Sequence, residues 1–149
     1  MIVYTVSVGG VRISLKVIST ESEVEAFLAD LKEVLIHPMF DVAMDLDILS
    51  KKKLESPTDL FTTVNTMLAL DFDRYDIKSQ LLGLDLSDYL EIFIDNLDNR
   101  LPPFFAFGKA IKNREVYIKV KIRDRKNRKV FCVSFHFARF PLPIQKPYT

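Results

Sequence analysis

Between Phe104 and Phe137 hydrophobic residues recur at every second position. No other stretch of the chain restricts its fold as tightly, because a period of two puts successive side chains on opposite faces of an extended strand. Over 115–123, Val116, Ile118, Val120 and Ile122 point one way, and Tyr117, Lys119, Lys121 and Arg123 point the other. Over 130–137, Phe131, Val133, Phe135 and Phe137 share one side, and Val130, Cys132, Ser134 and His136 share the opposite side. A polar loop, 124–129, joins the two, so the pattern predicts a hairpin with the large hydrophobes facing a core. The outer face is then Tyr117, Lys119, Lys121, Arg123, Cys132, Ser134 and His136. A symmetric loop pairs Arg123 with Val130, Lys119 with Ser134 and Tyr117 with His136. Directly opposed side chains stand about 5 Å apart at Cβ. Residues 104–111 read as a third strand, joined to the hairpin by a turn at Lys112-Asn113-Arg114. The tail from Phe140 carries three prolines and is expected to be irregular.

Leu101-Pro102-Pro103 marks a change of regime, and upstream the period is mostly helical. The exception is the start, where residues 2–8 and 11–17 alternate around Gly9-Gly10, the signature of a β-hairpin. A helix follows from Ser19-Thr20-Glu21-Ser22, with Thr20/Glu23 and Ser22/Glu25 as alternative capping boxes. Val24, Phe27, Leu28, Leu31, Val34 and Leu35 make its apolar face, and His37-Pro38 ends it. Residues 39–49 fit strand or helix. Ser56-Pro57 predicts a second helix start, with Leu60, Val64, Met67 and Leu68 inward. A shorter helix after Asp73 or Asp76 buries Ile77, Leu81 and Leu82, and 87–97 fits a further one through Leu90, Phe93, Ile94 and Leu97. The expected fold is a single α+β domain over 1–149. It has an N-terminal hairpin over 1–18, a mainly helical part over 20–99, and a basic antiparallel β-meander over 100–149.

Charge divides along the same line. Residues 1–99 hold 8 Lys/Arg and 18 Asp/Glu, a net of −10, whereas 100–149 hold 13 and 2, a net of +11. Such asymmetry points to a polyanion for the basic half, to internal neutralisation by the acidic helices, or to both. No apolar run approaches the ~20 residues of a membrane span, and the start has no basic region or cleavage site of a signal peptide. Cys132 is the only cysteine and the histidines are His37 and His136, so neither a disulfide framework nor a cysteine–histidine metal site is expected. The expected setting is cytoplasmic, with no cofactor and no metal.

Tyr117, Lys119 and His136 on one basic face suit metal-independent RNA cleavage. That reaction needs proton transfer at the 2′-hydroxyl and at the leaving 5′-oxygen. A histidine does this near neutral pH, while lysine and arginine stabilise the charged phosphorane. The plainer reading is an ordinary cross-strand Tyr–His pair among solvent-facing lysines.

Phe107-Gly108-Lys109, Glu115-Val116-Tyr117-Ile118-Lys119 and Cys132-Val133-Ser134-Phe135-His136-Phe137-Ala138 resemble the C-terminal blocks of MqsR-family toxins, in order and at similar spacing. Asp88-Tyr89 matches an Asp-Tyr pair of one bacterial branch. The match covers about residues 85–142. The resemblance implies a RelE-like fold and the toxin of a type II toxin–antitoxin system, an mRNA interferase that cleaves mRNA without a metal. Its partners would be mRNA, a cognate antitoxin and the ribosome, with no membrane. It carries catalytic roles to Tyr117, Lys119 and His136, where better-known members have a lysine in place of His136. It adds Lys109 as an RNA contact, and Lys51, Lys52 and Lys53 stand in for an Arg-rich stretch; the basic half itself offers Lys121, Arg123 and Arg139 as further RNA contacts. The alternative is a non-catalytic nucleic-acid- or protein-binding module on the same scaffold.

Overall fold

The structure, a computed structural model, describes residues 2–6, 13–49, 56–95, 98 and 100–149, with side chains from Val17 onward except at position 95. The Gly9-Gly10 turn and Lys51 to Lys53 lie outside the described residues. The fold is α+β. Its strands are β1 (Ile2–Val6), β2 (Ile13–Val17), β3 (Leu46–Ile48), β4 (Tyr89–Asp95), β5 (Phe104–Ile111), β6 (Arg114–Asp124) and β7 (Lys129–Phe137). They form one sheet in the order β1-β2-β4-β5-β6-β7-β3, antiparallel throughout except where β3 runs parallel to β7. The helices are α1 (Glu21–Ile36), the single turn α2 (Val42–Asp45), α3 (Thr63–Leu70) and α4 (Arg74–Leu82).

Helix α1 follows its sequence pattern closely. The Thr20 hydroxyl accepts from the Glu23 N–H, the chain leaves the helix at His37, and all six expected apolar residues are buried. Phe27 stacks on Phe105 of β5 with ring centroids 3.9 Å apart, which fixes α1 on one face of the sheet. Ile77 and Leu81 of α4 complete that core with Phe107, Val116, Ile118, Phe135 and Phe137 from the strands. Helix α4 starts after Asp73, one of its two expected starts, and Asp73 closes a capping box with Asp76.

The 20–99 segment departs from its expected helical character in two places. Residues 89–95 form a strand. The sequence Tyr-Leu-Glu-Ile-Phe-Ile-Asp is rich in aromatic and β-branched residues, and it pairs with both β2 and β5. A bulge around Leu90 breaks the period of two, and the broken period imitates helical spacing. The second helix starts at Thr63 rather than at Ser56-Pro57, which forms a turn. Of its expected apolar face, Leu60, Val64 and Leu68 are exposed and Met67 packs against the core, while Thr63 and Thr66 are buried. The two threonine hydroxyls accept hydrogen bonds from the Phe135 and Phe137 N–H groups at 3.3 and 3.0 Å. β3 stops at Ile48, opposite Cys132, so beyond it the outer edge of β7 needs other acceptors. Polar side chains are therefore what that helix must turn inward.

The boundaries of β5, β6 and β7 agree with the alternation to within a residue. The tail after Phe137 contains no helix or strand. It crosses one end of the sheet by successive contacts: the Leu142 N–H donates to Glu115 of β6, Lys146 to the Gly108 carbonyl of β5, and Tyr148 stacks on Tyr89 of β4. A Cβ at Gly108 would stand 2.5 Å from a Leu142 methyl, so a larger residue there would have to displace the Leu142 side chain of the tail.

Candidate active cleft and its cationic sheet face

The face of the sheet turned away from α1 carries most of the anticipated site. The register between β6 and β7 sets Tyr117 opposite His136 and Lys119 opposite Ser134, as a symmetric hairpin requires. Past Ser134 the register slips. Val120 pairs with Cys132, Lys121 with Phe131 and Ile122 with Val130, which leaves Val133 as an extra residue in β7. This bulge reverses the parity of the first half of the strand. Val130 and Cys132, expected outside, are buried in the core, and Phe131, expected in the core, joins Lys121 on the outer face. The Cys132 thiol donates to the Ser134 carbonyl across the bulge at 3.3 Å. Arg123 consequently does not face Val130.

Tyr117 and His136 are half-buried and stack with centroids 5.6 Å apart and planes 28° from parallel. They line a cleft of about 680 Å³ whose far wall is the tail, Ala138 to Pro143 with Gln145 and Pro147, and whose β4 side is Leu90 and Glu91. Burial, and then the negative charge of Glu91, hold the Tyr117 phenol well above the ordinary tyrosine value, so it stays protonated at any physiological pH. The His136 Nδ1 lies 3.0 Å from the Phe137 carbonyl. A carbonyl only accepts, so Nδ1 carries the proton in that contact and the lone pair of the neutral ring is on Nε2. Arg139 lines the same cleft and donates to Asp59 at 2.5 Å, which holds the Asp59 carboxyl below its usual value.

Away from the cleft, the same face alternates cations with rings. Lys119 Nζ sits 3.7 Å from the Phe93 centroid and 5.3 Å from that of Phe104. Lys121 Nζ is 4.6 Å from the Phe104 centroid, and the Arg123 guanidinium is 4.2 Å from that of Phe131. Arg123 also pairs with Asp47 at 3.2 Å. Lys109 is not part of this face. It shares the helix side of β5 with Phe107 and Ile111, and its ammonium reaches toward Gly83 at the end of α4. The structure thus brings together Tyr117, Lys119, Lys121, Arg123, His136 and Arg139, and separates Lys109 from them.

The alternation did not bring forward Glu91, Phe93, Phe104 or Phe131. Glu91 and Phe93 lie in the strand that imitates a helix, and Phe131 lies beyond the bulge. Phe104 alone had a legible signal, since in its strand it has the parity of Ala106 and Gly108 rather than of Phe105 and Phe107. Among the described residues, no three His, Cys, Asp or Glu side chains gather as a metal ion would require, and no helix is long and apolar enough to cross a membrane. No family model, curated protein or solved structure matches this chain.

Proposed function

We propose that the chain is a metal-independent RNA endonuclease acting on mRNA, free or on the ribosome, as the toxin of a toxin–antitoxin pair with a RelE-like arrangement of helices and sheet. The observation that carries this reading is the stacked Tyr117–His136 pair, set in a cleft at the end of a sheet face that bears Lys119, Lys121 and Arg123. The three sequence blocks that resemble MqsR-family toxins fall on β5, β6 and β7, and two of them meet at this pair.

Cleavage by the 2′-hydroxyl needs two groups that move protons. His136 and Glu91 both line the cleft, and an imidazole and a carboxylate can each take or give a proton. One takes the 2′-hydroxyl proton as the 2′-oxygen attacks phosphorus. The other gives a proton to the 5′-oxygen as the P–O5′ bond breaks, leaving a 2′,3′-cyclic phosphate. Tyr117 keeps its proton and donates a hydrogen bond to a phosphate oxygen, and Lys119 offsets the charge of the phosphorane. An antitoxin with an acidic segment complements Lys119, Lys121 and Arg139 and closes the cleft in the resting cell.

The test is cleavage of a synthetic single-stranded RNA by the purified protein in EDTA. The expected products end in a 2′,3′-cyclic phosphate. Cleavage that stops in EDTA, returns with magnesium and leaves 5′-phosphates would overturn the reading.

A further inference from the structure

The outer sheet face holds three half-buried phenylalanine rings that no core requires. Phe93 and Phe104 are cross-strand neighbours on β4 and β5, and Phe131 lies on β7 opposite Lys121 of β6. The Phe104 and Phe131 rings meet edge to face with centroids 5.7 Å apart. The row spans four strands, about 14 Å at the usual strand spacing of about 4.8 Å. It lies one or two pleats from Tyr117 and His136, since Lys119 is two residues along β6 from Tyr117. Each ring carries a cation at 3.7 to 4.6 Å from its centroid.

We propose that this row is a binding track for single-stranded RNA, in which bases stack on Phe93, Phe104 and Phe131 while phosphates take Lys119, Lys121 and Arg123. The proposal deepens the RNA reading of the adjoining cleft and rests on it. Ring and cation exchange partners when a nucleotide binds. A base that takes a ring face displaces the ammonium resting there, and the displaced ammonium lies within reach of the phosphate of the same nucleotide. Ring and cation therefore become available together, and only to a nucleotide whose base is unstacked. Duplex RNA offers phosphates, but its bases are stacked inside the helix, so it takes the cations without the rings. The track then leads a single strand toward the Tyr117–His136 cleft.

The experiment measures binding of a labelled 2′-O-methyl RNA of roughly 12 nucleotides, free of secondary structure, and of the same strand annealed to its complement. The 2′-O-methyl group removes the nucleophile, so binding is read without cleavage. The wild-type chain should prefer the single strand. Phe104→Ala and Phe131→Ala should each weaken single-strand binding by about 5- to 100-fold and leave duplex binding unchanged. Phe104→Tyr keeps the stacking face and should retain affinity, while Phe104→Leu keeps apolar bulk and should lose it; this pair carries the test if an alanine variant fails to fold. Equal binding of single strand and duplex, unchanged affinity in Phe104→Leu and Phe131→Ala, or binding of polyglutamate in place of RNA would each overturn the proposal. Ring-dependent binding of the methylated strand without cleavage of ordinary RNA supports the track and sinks the nuclease. Cleavage with ring variants binding normally does the reverse.

Discussion

The phenol of Tyr117 is held in its protonated form by burial and by Glu91. Its folded value is raised, so the stability that this group contributes is complete below the ordinary tyrosine value near 10 and is lost as pH climbs above it. Tyr89 shifts in the same direction, first because it is buried among Phe105, Phe107 and Tyr148. Unfolding of the wild-type chain by urea between pH 8 and 11 should therefore show a fall in stability above roughly pH 10. Tyr117→Phe should shallow that fall, and an identical pH profile in the variant would refute the assignment. At this scale the sequence was most legible where local parity was intact. The symmetric count from the loop reaches the Tyr117–His136 pair because two register shifts, at Ile122/Asp124 and at Lys119/Val120, cancel before the intact stretch begins. Glu91 was illegible because its neighbours, Leu90, Phe93 and Ile94, recur at intervals of three and one, a spacing that a bulged strand and a helix share.

Two elements depend on contacts that are not local, and both were misread for that reason. β7 contains apolar residues at both parities, Val130 and Cys132 as well as Phe131 and Val133, so nothing in its own sequence says where the extra residue lies. Each half is held by a different neighbour: the Phe135 and Phe137 N–H groups by α3, and Val130 and Cys132 by their pairing with Leu46 and Ile48 of β3. The second helix reads as amphipathic through Leu60, Val64, Met67 and Leu68, yet of these only Met67 packs on the core, and α3 turns Thr63 and Thr66 to the sheet to satisfy the edge of β7. Thr66→Val removes an acceptor while keeping the shape, leaves the Phe137 N–H without its partner, and should cost about 1–3 kcal/mol in urea unfolding. Thr66→Ser should restore most of that loss. A neutral Thr66→Val would mean that the edge is not held by this hydrogen bond.

At the scale of the whole molecule, the charge division resolves into ion pairs between the halves and cations that rest on rings, and Arg123 does both. Arg125 pairs with Asp30 and Glu33 of α1, Lys129 with Asp45, Arg123 with Asp47 and Arg139 with Asp59, so part of the basic excess is neutralised by the acidic half. Lys119 and Lys121 rest on rings of the outer face. Composition told that the two halves attract, but not which cations are consumed in doing so, because that depends on the helices meeting the β3 end of the sheet. The partition predicts the salt dependence of RNA binding. Affinity should fall steeply as salt rises, Lys121→Ala should lower the slope of log affinity against log salt by about one unit, and Arg125→Ala should leave it unchanged. A slope that falls equally in both variants would mean that the outer face has no special part in binding.

The proposed cleavage rests on His136 as a group that moves a proton. Single-turnover cleavage of one RNA by the wild-type chain and by His136→Ala, both in EDTA and with affinities measured in parallel, tests it most directly. General acid–base catalysis is worth roughly 10²–10⁴-fold, so His136→Ala should lose rate by about that factor with RNA affinity nearly intact. Full activity in His136→Ala would contradict it.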